Sequence, residues 1–164
     1  MIKRVFCLLV CFLAAIVLDT ALLPRLIPYA VRPDMTMAFV LALSVSFPLW
    51  AAGAAAAVGG LMKDLLCSET IGLSSAALLL AAVILSSLMH KNTFKKGILY
   101  LIMTGICLLT EGFCAFFFRL YGAGFDPLYT LLFGGLGRSL VTSACALVFI
   151  SLCTDLNKGR IERA

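Results

Sequence analysis

The sequence predicts an all-α membrane protein, a polytopic bundle of six transmembrane helices with both chain ends on the cytoplasmic side. Three observations lead there. Only 13% of the residues are charged and mean hydropathy is +1.11, against roughly 25% charged in soluble globular domains, so polar side chains are too few to cover a water-facing surface. Long apolar runs such as VFCLLVCFLAAIVL (5–18) and IGLSSAALLLAAVILSSLM (71–89) show no polar–apolar alternation. In lipid every backbone polar group must be satisfied within its own segment or in a closed barrel, and without alternation the spans are helices. Finally, lysine and arginine gather in short connections and tails, as expected beside anionic headgroups.

A span needs about 20 residues to cross a hydrocarbon core of about 30 Å. The first runs from about 5 to 23 and is expected to stop at Pro24. MIKR before an apolar run also resembles a signal peptide, but no small-x-small cleavage site follows it and Asp19-Thr20 interrupts its end, so it is read as a retained span. Residues 24–34, PRLIPYAVRPD, hold three prolines and three charges and read as a loop. The apolar stretch 35–62 would reach about 42 Å as one helix, well beyond the bilayer core. Pro48 divides it, and the composition changes at AAGAAAAVGG (51–60), so two helices at about 35–48 and 50–66 joined by a tight turn are expected. The remaining spans fall at about 71–89, 98–118 and 128–153, with no second domain.

Charge does not fix the span count by itself. With six spans Lys3, Arg4, Lys91, Lys95, Lys96, Lys158, Arg160 and Arg163 face the cytoplasm, and Arg25, Arg32, Lys63 and Arg119 the outside. Five spans with the amino end outside give the same eight against four. Length and Pro48 favour six, as does the difficulty of translocating Lys3 and Arg4.

Small residues at helical spacing mark packing faces. Gly53 and Ala57, Ala55 and Gly59, and Ala56 and Gly60 lie four apart in the third span, and Gly135, Ser139 and Ser143 form a second face in the last. Such faces let helix backbones approach closely in lipid, either inside the bundle or against a partner. The charges within or bordering the spans are the other candidates. Asp19 falls near the outer end of span one, and Glu111 and Arg138 in the outer halves of spans five and six, where an ion pair between them is expected. Lys63-Asp64 sits at the outer end of span three, and Gly72 suits a turn needing positive φ. With Asp34, these residues make an outward-biased polar set, read as a partner contact or a polar pocket.

Other classes of chemistry lack their residues. Six of the seven cysteines lie in apolar segments, where cysteine packs as a small hydrophobe, and Cys67 is placed in a loop. There is no CxxC, and His90 is the only histidine, so no metal site is expected. The intramembrane serines have no nearby His or Lys base and no phosphate-binding loop is present, so neither catalysis, a cofactor nor nucleic-acid binding is expected.

Residues 32–84 resemble the MreD family, the rod-shape-determining membrane proteins of bacteria. The resemblance rests on Pro24 after the first span, Arg32-Pro33-Asp34 opening the second, Gly60-Leu61-Met62-Lys63-Asp64-Leu65-Leu66 closing a Gly-rich third, and Ile71-Gly72-Leu73 leading into the fourth. Ser68-Glu69-Thr70 stands where that family has a glycine-containing turn. The resemblance implies a non-enzymatic plasma-membrane component of the cell-elongation machinery. Such a component binds MreC and works with MreB, a SEDS-type glycosyltransferase and a penicillin-binding transpeptidase in peptidoglycan synthesis. The alternative is the substrate-capture subunit of an energy-coupling-factor vitamin transporter, also six-span, in which Glu111 and Arg138 would meet a small polar ligand.

Overall fold

A computed structural model of the chain describes residues 2–28, 32–67, 72–91, 96–120 and 134–161. All regular structure among the described residues is helical. Six helices follow one another: α1, which runs as Ile2–Val17, a π-helical turn Leu18–Leu22 and a last turn Leu23–Leu26; α2, Met35–Ser46; α3, Leu49–Cys67; α4, Leu73–Lys91; α5, Lys96–Leu120; and α6, Leu136–Ile161.

Two boundaries differ from the sequence reading. The first helix does not stop at Pro24 but carries it within its last turn, Leu23–Leu26. Proline has no N–H and its ring clashes with the carbonyl four residues back. The preceding turn therefore widens to π-type spacing, in which the Leu23 N–H reaches the Leu18 carbonyl. Cys67 is the last residue of α3 rather than part of a loop. The part of the expected sixth span before Gly134 lies outside the described residues.

The division at Pro48 is as expected, and its cause is local. Phe47, with φ −131° and ψ 162°, is held extended by the proline that follows, so α2 ends and α3 begins on the next residues. The stretch 35–62 is thus a hairpin. Asp34 and Lys63, 29 residues apart in sequence, form an ion pair; a single rod would hold them about 43 Å apart.

α2 is the centre of the bundle. It is apolar on every face, and a helix hydrophobic all round is a buried one; Thr36 to Ser44 are buried without a break. α1, α3, α4 and α6 pack around it. Phe39 of α2 touches Phe12 of α1 at 5.5 Å and meets Phe149 of α6 edge-on at 5.6 Å. Leu41, Leu85 and Met103 fill the interior.

The small-residue face of α3 is spent inside the bundle. A Cβ on Gly60 would stand 2.2 Å from the Ser75 Cα of α4, and one on Gly59 would stand 2.7 Å from the Phe12 ring of α1. The Ser75 hydroxyl donates to the Ala57 carbonyl at 3.4 Å. Gly53 has room to spare, with Leu79 4.0 Å from its would-be Cβ. On the α5–α6 seam the Thr104 and Ser143 hydroxyls meet at 2.9 Å, and the Tyr100 hydroxyl donates to the Leu140 carbonyl at 3.1 Å. Ser139 is buried in α6, where its hydroxyl bonds back to the Leu136 carbonyl, and Gly135, just before α6, is buried as well.

The exterior is apolar as well: Leu13, Val17, Val58, Leu65, Leu101, Leu109 and Val148 are exposed. Three helices are long and apolar enough to cross a membrane, over Leu9–Leu26, Leu49–Leu66 and Gly97–Phe117, and Met35–Ser46, Leu73–Met89 and Leu136–Ser151 are shorter apolar helices. Helices with an apolar core and an apolar surface are those of a multi-pass membrane protein.

Candidate functional site

Five charged side chains from five elements converge on one layer of the bundle. Asp19 is turned inward by the π turn of α1 and is only 3% exposed. Asp34 is the N-cap of α2. Its Oδ1 accepts the Met37 N–H at 2.8 Å, satisfying one of the donors that every helix start leaves open. Lys63 comes from α3, Glu111 from α5 and Arg138 from α6.

Lys63 is the hub on one side. Its ammonium lies 2.9 Å from Asp19 Oδ2 and in direct contact with Asp34 Oδ2. Arg138 is the hub on the other, with Nη2 3.5 Å from Asp34 Oδ2 and Nε 3.1 Å from Glu111 Oε1. Two threonines complete the layer. The Thr36 hydroxyl donates to Asp19 Oδ2 at 3.2 Å. Thr142 donates to the Arg138 carbonyl at 2.8 Å and accepts the Asp34 N–H at 3.0 Å. Arg32 adds its charge to the field at Glu111.

The layer is therefore a continuous chain of ion pairs, Asp19–Lys63–Asp34–Arg138–Glu111, tying α1, α2, α3, α5 and α6 together. Glu111 is its most open end, with 26% of its side chain exposed. A buried charge is tolerated only when paired and hydrogen-bonded, and here each cation lies between two carboxylates.

Of the sequence-derived candidates, Asp19, Asp34, Lys63, Glu111 and Arg138 come together, and the Glu111–Arg138 pair is present. Asp64 stands apart, although it adjoins Lys63 in sequence. Its carboxylate accepts the Gly72 N–H at 2.7 Å and the Ser74 N–H at 3.2 Å, capping α4 from the end of α3. Gly72 takes φ +97°, a conformation that suits glycine. Thr36 and Thr142 were not singled out from the sequence, whereas Arg32 figured there only in the Arg32-Pro33-Asp34 motif and the charge count. Thr142 is one helical turn beyond Arg138, and a polar residue at that spacing from an intramembrane charge is the signal that points to it.

Among the described residues, no three His, Cys, Asp or Glu side chains are grouped so as to hold a metal ion. Comparison of the chain with protein-family models, curated proteins and solved structures finds no match in any of the three.

Proposed function

We propose that this chain is a six-span scaffold of the bacterial plasma membrane, similar in role to MreD, that binds an MreC-like partner in the cell-elongation complex and catalyses nothing itself. What supports the reading is the convergence of the motifs that carry the resemblance. Arg32-Pro33-Asp34 and the Lys63-Asp64 pair lie 29 residues apart (Asp34 to Lys63), yet Asp34 pairs with Lys63 while Asp64 caps the helix that follows Gly72. The motif residues thus build one end of the bundle. Both cations are engaged by two carboxylates each, an arrangement that serves a rigid framework.

Depth within the bundle supports six spans. Asp19 lies about fifteen residues after Arg4, Lys63 about fifteen after Pro48, Glu111 about fifteen after Lys96, and Arg138 about fifteen before Cys153. Because these side chains meet in one layer, those four positions share one level, about 22 Å below it. Arg4, Lys96 and the polar tail beyond Cys153 then mark the cytoplasmic boundary, together with the Pro48 turn. Trp50, 78% exposed beside that turn, fits the interfacial belt where tryptophan gathers. The charged layer lies about 8 Å beneath the outer boundary of a core of about 30 Å.

Affinity purification of the tagged chain from native membranes in mild detergent tests the function. An MreC-like protein with a single span and a large outer domain should co-purify, together with elongation enzymes. Recovery of ATPase subunits with a small integral coupling protein would instead make this a solute-capture subunit.

A further inference from the structure

α1 is held to the bundle by one narrow stripe. Between Leu9 and Leu26 its buried residues are Ala15, Ile16, Asp19 and Leu23, with Phe12 lying between Gly59 and Phe39. Leu9, Val10, Leu13, Val17, Leu18, Leu22 and Leu26 face outward. In lipid, apolar burial gives little force between helices, so the polar contact on that stripe carries unusual weight.

That contact is Asp19, and its environment is lopsided. Oδ2 takes both the Lys63 ammonium and the Thr36 hydroxyl, while Oδ1 is buried without a hydrogen-bond partner among the described residues. Lys63 does not depend on Asp19. It is also held by Asp34, which is itself fixed by Arg138 and the Met37 N–H, so withdrawing Asp19 leaves the Lys63–Asp34–Arg138–Glu111 pairs in place. Asp19 also lies in the π turn that Pro24 imposes. A π turn inside an α-helix is a local irregularity of the kind found at functional positions. At about 8 Å from the outer boundary, a carboxylate has a second favourable place, the hydrated headgroup layer.

We propose that α1 has two seats on the bundle: one latched through Asp19 to Lys63 and Thr36, and one released, with Asp19 hydrated at the outer face. The second seat rests on the topology proposed above. An outer partner that favours one seat sets the position of α1 without touching the rest of the charged layer.

The test is electron–electron distance measurement on the full chain in lipid nanodiscs, with its seven cysteines changed to alanine and spin labels at Leu13 and Val83. Asp19→Ala loses both the Lys63 ion pair and the Thr36 hydrogen bond and should raise the ratio of released to latched populations by about tenfold or more, since one hydrogen bond to a charged group already accounts for about tenfold. Thr36→Val removes a weaker part of the latch and should shift the ratio in the same direction by less. A Val83–Val148 pair, within the bundle, should not move. An unchanged Leu13–Val83 distribution in both variants overturns the proposal, and so does equal movement of the control pair. Labelling of a cysteine at Arg25 by a membrane-impermeant reagent tests the topology separately. Access from the cytoplasmic side alone would sink the topology and leave the distances to decide whether α1 moves.

Discussion

The backbones of Gly60 and Ser75 approach so closely that a Cβ on Gly60 would stand 2.2 Å from Ser75 Cα and 2.5 Å from Ser75 N. Neither neighbour is a flexible side chain, so a methyl group there must push α3 and α4 apart. Gly60→Ala is expected to cost about 3 kcal/mol, the upper part of the usual range for overpacking, and to lower the thermal midpoint in detergent. Gly53→Ala, on the same helix with its nearest neighbour at 4.0 Å, should be neutral or stabilise by up to about 1 kcal/mol through helix propensity. Equal effects at the two positions would mean that the α3–α4 contact is looser than described.

Arg138 joins two acids through different nitrogens, Nε to Glu111 and Nη2 to Asp34. Arg138→Ala leaves both carboxylates short of a partner and should cost roughly 3–5 kcal/mol. Arg138→Lys should recover only part of this, because an ammonium is a point charge without the guanidinium fork. In a double-mutant cycle with Glu111→Ala the coupling should fall at roughly 0.5–3 kcal/mol. Strict additivity would show that the pair is a contact without energetic weight.

Asp64 and Gly72 form a separate unit that fixes the entry to α4. Asp64→Ala opens two backbone donors at once, those of Gly72 and Ser74, and should cost about 1–2 kcal/mol, as at other helix starts. Gly72→Ala places a Cβ at φ +97° and should cost about 1 kcal/mol although nothing lies within 4 Å of the new atom. The two losses should be partly redundant, since both release the same turn. Full additivity in thermal unfolding would argue that the turn is held by something else.

The outline of this fold is legible because lipid simplifies the code. Charge content and unbroken apolar runs lead to helices, and Pro48 with the change to alanine and glycine leads to a hairpin. Glu111 and Arg138 could be paired from the sequence because an intramembrane charge demands a partner. What stayed hidden is three-dimensional. Nothing in the local sequence says that Lys63 turns inward to Asp19 and Asp34 while its neighbour Asp64 turns to Gly72, since adjacent helical residues point about 100° apart and packing decides which side is inside. The helix passing through Pro24 was likewise unreadable, because a proline can end a helix or be absorbed by a widened turn before it, and the local sequence does not decide between the two.

Topology gives the prediction that bears on every other reading. If the charged layer lies near the outer boundary, a cysteine at Arg25 should react with an impermeant thiol reagent from the outside only. One at Trp50, beside the Pro48 turn and 78% exposed, should react from the cytoplasmic side in inverted vesicles. A five-span arrangement reverses the first result, because the first connection changes sides. It also abolishes the second, because Trp50 would then sit mid-membrane in a single long span. The Asp34–Lys63 contact argues against that rod on geometric grounds, since one helix cannot bring its two ends together. Outside labelling at Arg25 together with inside labelling at Trp50 is therefore the expected pair of results, and failure of either would require α2 and α3 to be placed differently in the bilayer.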